Sequence, residues 1–151
     1  MKKVGIPGED IHPEAVSDAK IARATALCEV AIPLVSESQS VASATLTTLN
    51  GQHIWTPSNW NLDRVSKVEV ELEWESAGAG DIDLYNVTDA AKLADLVAPS
   101  AATSKTIQRV DVTSAVKGLA DAKILAIQAA GDGSNAVTVY TAKLIVTVVL
   151  G

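Results

Sequence analysis

The chain has no phenylalanine, one cysteine, one methionine, two tyrosines and three tryptophans among its 151 residues. With so few rings, a core must come from Val, Ile, Leu and Ala, side chains that suit the pleated surface of packed sheets. The single thiol, Cys28, excludes an internal disulfide; inside a strand it is expected to serve as a small buried hydrophobe. Clustered Lys and Arg are also missing. Twelve basic residues stand against eighteen acidic ones, a net charge of −6, so nucleic acid, whose phosphates need concentrated positive charge, is not an expected partner. Nor is a membrane, because the C-terminal apolar run from Leu144 to Leu150 is too short to cross a bilayer and contains Thr147. Met1-Lys2-Lys3 begins like a secretion signal, but Val4-Gly5-Ile6-Pro7-Gly8-Glu9-Asp10 supplies no apolar stretch after it. The expectation is a chain made in the cytoplasm without a signal peptide, which stays there or leaves by assembly or lysis. Scarce Cys, Met, Asn and Gln suit a thermophilic source, although a charged fraction of 20% gives that idea little support.

What is present is alternation. In residues 65–75, Val68, Val70, Leu72 and Trp74 fall on one side of an extended strand, and Lys67, Glu69, Glu71, Glu73 and Glu75 on the other. Successive strand side chains point to opposite faces, so this is a half-buried antiparallel strand. The glutamates are expected to form an outward row that is solvated or meets Lys and Arg across the sheet, since like charges at alternate positions repel.

Other strands follow the same logic. They are expected at 26–35 (broken at an edge by Pro33), 40–49, 81–87, 103–112, 122–129 and 136–150, about eight in all when the shorter pieces are included. Turns are expected at Asn50-Gly51, Ala77-Gly78-Ala79-Gly80 and 131–135, and a long polar loop at 52–64. Residues 81–87 would then be the hairpin partner of 66–75. Lys92 to Val97 fits either a strand or a helical turn, and 114–119 fits a helical turn ending near Gly118. The last strand has apolar residues on both faces, with Tyr140, Ala142, Leu144 and Val146 on one and Val137, Val139 and Ile145 on the other. Residues 1–24, punctuated by Gly5, Pro7, Gly8 and Pro13, read as an extended N-terminal arm that lies on a partner, or as a disordered leader.

The segment Asp81-Ile82-Asp83-Leu84-Tyr85-Asn86-Val87-Thr88-Asp89 opens a familiar order. A Thr/Ser-rich middle (103–106) follows, then the strand Lys123 to Gln128, a Gly-rich turn, and a strand running through Ala142-Lys143-Leu144-Ile145-Val146. Over residues 65–150 this resembles the jelly-roll β-sandwich modules of phage and virus structural proteins and of prokaryotic surface proteins. The resemblance implies an all-β, antiparallel sandwich of jelly-roll type that assembles or binds and carries no catalytic residues. The chain then divides into an arm, 1–24, and a sandwich domain, 25–151.

Candidate sites are few. His12 and His53 are the only histidines, and no Gly-x-Ser-x-Gly elbow is present, so no catalytic residue is assigned. No cofactor is expected; calcium is the one metal weighed. Its hard-oxygen ligands would be Asp81, Asp83 and the loop Asp132-Gly133-Ser134-Asn135, although turns favour such residues for backbone reasons alone. Trp55 and Trp60, flanked by Asn59 and Asn61, are the candidate ligand or partner contacts. They would form a sugar-stacking platform, a subunit contact, or a cap on a core that lacks Phe. The leading expectation, from that resemblance, is a non-catalytic structural protein located in a virion or other extracellular assembly, a capsid-decorating or head subunit that forms homo-oligomers through its arm and sheet edges. The alternative is a carbohydrate-binding module using Trp55 and Trp60.

Overall fold

The computed structural model describes residues 26–150; the expected arm at 1–24 lies outside them. The fold is all-β, as expected, with eight antiparallel strands in one sheet that curls on itself as a sandwich. The strands are β1 (Leu27–Val35), β2 (Gln39–Val41), β3 (Thr47–Thr48), β4 (His53–Trp55), β5 (Val65–Asn86), β6 (Ala91–Asp111), β7 (Lys123–Ala130) and β8 (Val137–Val149). A single helical turn, α1 (Thr113–Lys117), ends at Gly118, close to the expected position.

β5 organises everything else. Its first half pairs with β8, from Val65↔Val148 to Ser76↔Val137, and its second half with β7, from Asp81↔Ala130 to Asn86↔Leu125. β6 runs along its other side throughout. One 22-residue strand therefore belongs to both layers, and the core lies between them. Val68, Val70 and Leu72 from the first half, Ile82 and Leu84 from the second, Leu125 and Ile127 of β7, and Leu144 and Val146 of β8 are all fully buried. Each such side chain contributes about 1.5–3 kcal/mol of hydrophobic stabilisation.

The expected turn at Ala77-Gly78-Ala79-Gly80 is instead a bend inside β5. A Cβ on Gly78 would collide with the Asp132 carboxylate. The glycine is there to let the turn between β7 and β8 pack against the strand, which is one of the established uses of glycine in a sheet. Residues 81–87 consequently continue 66–75 and are not its hairpin partner. The real hairpin joins β5 to β6 around residues 87–90, where Asp89 N donates to Asn86 Oδ1 at 3.1 Å and Asn86 Nδ2 to Asp89 Oδ2 at 2.9 Å. Lys92 to Val97 is the start of β6.

Three further expectations need correction. The segment 40–49 is not one strand, because only 39–41 and 47–48 find partners, on β8 and β7. The loop 52–64 contains a strand, β4, which pairs with β7 from His53↔Leu125 to Trp55↔Lys123, and two short 3-10 turns. Cys28 is exposed: β1 is the end of the strand order, and its first residues extend beyond the cover that the described residues supply. The two-faced pattern of the last strand also acquires a cause. Glu73 pairs with Thr141 and Trp74 with Val139, so Tyr140 is an extra residue in a β-bulge. Val137 and Val139 point inward before it, and Ala142, Leu144 and Val146 after it.

Candidate functional site

Four places on the molecule carry chemistry, beginning with the tryptophan loop. β4 turns Trp55 into the core, where it is fully buried, and the 3-10 turn that follows brings Trp60 back over it. The rings stack with centroids 5.3 Å apart and planes 12° from parallel, so each covers one face of the other. Trp60 is half-buried, and Asn59 and Asn61 are exposed beside it. What this loop offers to solvent is thus the outer side of Trp60 and two amides. His53, on the same strand, has its pKa lowered by partial burial.

The glutamate row is a network. Arg109 of β6 donates to Glu71 of β5 at 3.0 Å and reaches over β5 and β8 to Glu29 of β1 at 2.7 Å, with Glu69 3.5 Å away. These two acceptors hold the guanidinium well above its ordinary pKa and draw Glu29 below the usual carboxylate range. Ile145, on the outward face of β8 between these strands, is 3% exposed. Lys105 pairs with Glu73 at 3.5 Å and lies 4.2 Å from the centre of the Tyr140 ring, whose hydroxyl donates to Glu75. The outward row therefore meets its cations across the sheet.

By residue type the turn 131–135 and the carboxylates of β5 group together as calcium ligands; the structure separates them. Asp132 Oδ1 accepts from Ser134 N at 2.8 Å and Asn135 N at 2.5 Å, and Oδ2 accepts from Asn135 Nδ2 at 3.0 Å. With the Ala79 amide added, these donors pull its pKa down to about 2. Asp132 is committed to its own turn. Asp81 and Asp83 are instead joined by Asp95 of β6, directly opposite Asp83 in register. One carboxylate oxygen from each of the three lies within 4.8 Å of the others. Burial, followed by the neighbouring Asp81, raises the Asp83 pKa to about 6. The sequence carries Asp95 in plain view, but its place opposite Asp83 depends on the β5–β6 register, which the two-way reading of 92–97 conceals.

The fourth place is the β1 edge. Its inner side pairs with β8 from Leu27↔Val149 to Val35↔Ala142, and its outer side pairs with no strand among the described residues. Leu27 is 60% exposed and Val30 38%, with Cys28 exposed between them.

No protein-family model and no curated protein matches this chain. Among solved structures, it is similar to a chain in the structure of the infectious bursal disease virus Gt strain, with a TM-score of 0.44 and 12% identity over 81% of this chain and 33% of that one. For a chain of the Gx strain the TM-score is 0.40 and the identity 12%, over 83% of this chain and 37% of that one. The chain thus spans about a third of the length of the proteins it matches.

Proposed function

We propose that this chain is a non-catalytic structural protein, a subunit of a virion or similar assembly, that self-associates through its sheet edges and above all through β1. The observation that carries this reading is the outer side of β1, nine residues long and almost without charge of its own. A strand edge is a row of unpaired amides and carbonyls ready to take another strand, and proteins that remain apart usually guard it with lysines, bulges or short length. Here Pro33 and the irregularity at 33–35 guard only the far end of the strand, and the one charged residue, Glu29, is held by Arg109. Leu27 and Val30 remain exposed on the strand. Strand addition at such an edge supplies main-chain hydrogen bonds for affinity and side-chain contacts for register. The arm at 1–24 belongs to this reading as a second element that docks on a neighbour, and capsid decoration or a place in a head are the assemblies it suits.

Size-exclusion chromatography with light scattering on the full chain tests this. The expected result is a concentration-dependent oligomer that the double substitution Leu27→Lys, Val30→Lys converts to monomer with the fold retained. A strict monomer at high concentration, unchanged by those substitutions and by deletion of 1–24, overturns it. The alternative, glycan binding, rests on the outer face of Trp60 with Asn59 and Asn61; tryptophan fluorescence that stays flat across a panel of polysaccharides removes it.

A further inference from the structure

The geometry points to a divalent-cation site on the outward face of the second layer, formed by Asp81, Asp83 and Asp95 and suited to calcium. Asp81 and Asp83 are two apart on β5 and so share a face, and the β5–β6 register sets Asp95 beside them. Three carboxylates in proximity are common on protein surfaces. These differ because Asp83 is 0% exposed, yet neither of its oxygens has a hydrogen-bond partner among the described residues, and the same holds for Oδ1 of Asp81. Buried carboxylates are normally met by donors, by a paired charge or by a metal. The neighbours on hand meet these only in part. Gln128, opposite Asp83 on β7, donates its amide to Thr48 at 3.0 Å. Lys92 bonds Asp95 at 2.6 Å and makes only a long ion pair with Asp83, at 3.8 Å, so the buried oxygens of Asp83 still lack a donor.

Charge balance identifies the class of ligand. Three carboxylates against one ammonium leave two negative charges, the complement of a divalent ion. An all-oxygen, all-carboxylate set with no His or Cys selects a hard cation, and the irregular convergence of two strands suits the adaptable shell of calcium better than the strict octahedron of magnesium. Asp95 is exposed and Lys92 half-exposed, so the ion has a path in and water can complete its shell. Lys92 is the resident counter-charge of the site: it yields its bond to Asp95 as the ion enters but stays at the rim, where it balances the third carboxylate. Asp132 has no part in it, its oxygens being occupied within their own turn.

The test uses the full chain stripped with EDTA and titrated with CaCl2, by calorimetry and by thermal melting, with MgCl2 as comparator. Saturable binding at one site and a rising melting temperature are expected, with magnesium weaker. Asp83→Asn and Asp95→Asn should each weaken calcium at least about tenfold, because each removes a charged ligand. Lys92→Met should bind calcium several-fold more tightly, since the competing ammonium is gone. Circular dichroism checks the fold; if Asp83→Asn does not fold, the exposed Asp95→Asn decides the question in its place. Absence of saturable binding in both the parent and Lys92→Met overturns the proposal. So does a calcium response of equal size in the parent and in the folded aspartate variants.

Discussion

Asp132 and Asp83 are the same residue type on the same sandwich, and they sit in opposite electrostatic conditions. Asp132 is at the surface but surrounded by donors, two backbone amides and the Asn135 side chain among them, and its pKa falls to about 2. Asp83 is wholly buried without a donor among the described residues, and its pKa rises to about 6. Burial without donors pushes the one up, and the donors placed around the other pull it down. A turn can bend its own amides onto a side chain, as the 131–135 turn does. A strand cannot, because its amides are committed to the ladder, so Asp83 has to look to another strand or to an ion.

The contrast is broken most severely from the strand side. A methyl group at residue 78 would collide with Asp132 Oδ2 and meet Asn135 Nδ2 at 2.8 Å. Gly78→Ala is expected to cost about 2 kcal/mol in urea unfolding, the usual scale for forcing atoms into a filled site. Most of that cost should vanish when the same change is made in an Asp132→Ala background, the mark of a direct clash in a double-mutant cycle. A cost that is equal in both backgrounds would place the strain elsewhere.

Asp132→Ala itself should lower the melting temperature by several degrees near neutral pH, since the Asn135 side chain and the Ser134, Asn135 and Ala79 amides lose their acceptor. Its pH dependence has a definite sign. The folded-state pKa of about 2 lies below the ordinary carboxylate value of 3.8. The contribution of Asp132 is therefore complete above that ordinary value and lost as pH falls through about 2. The gap between the two melting curves should be constant from pH 7 to about 5 and close toward pH 2. A gap that persists in acid would show that the carboxylate charge is not what holds the turn.

Asp83→Asn is expected to act in the opposite direction. In protein free of divalent cations, replacing a buried, donorless charge with a neutral side chain of the same shape should stabilise the fold by about 1 kcal/mol, part of the desolvation penalty being recovered. With calcium bound the order should reverse, as the variant lacks a ligand. Chemical denaturation with and without CaCl2 measures both. Destabilisation of the ion-free protein by Asp83→Asn would mean that Lys92 already compensates the charge in full.

The same contrast explains what can be read in advance. The alternation of Val68, Val70, Leu72 and Trp74 with the glutamates announces a strand because both rows obey one period, and the structure follows it. Continuation through 77–80 is hidden, since Ala and Gly carry no period and their use depends on Asp132, more than fifty residues away in the chain. The bulge at Tyr140 is visible only as apolar residues on both faces of one strand, which a change of phase produces as readily as burial of both sides. The exposure of Cys28 follows from its position in the strand order, which composition does not encode. Asp81, Asp83 and Asp132 all stand out as oxygen ligands by residue type. Sorting them needs the register that brings Asp95 to Asp83 and the turn geometry that occupies Asp132.

The finest test of the comparison is Asn135→Ala. Asn135 is exposed, and its side chain supplies one of the bonds to Asp132, at 3.0 Å, while its own backbone amide and that of Ser134 supply the others. Removing the side chain leaves the amide bonds in place, because they depend on the path of the turn and not on residue type. The loss should be within about 0.5 kcal/mol, the ordinary range for a surface substitution. Calcium binding should be unchanged, since the residue lies in the 131–135 turn and not among the three converging carboxylates. If Asn135→Ala shifts the calcium titration, the two aspartates are not independent: the bend at Gly78, between the turn and Asp81, would be transmitting strain from one to the other. The contrast between them would then have to be read as a single coupled structure.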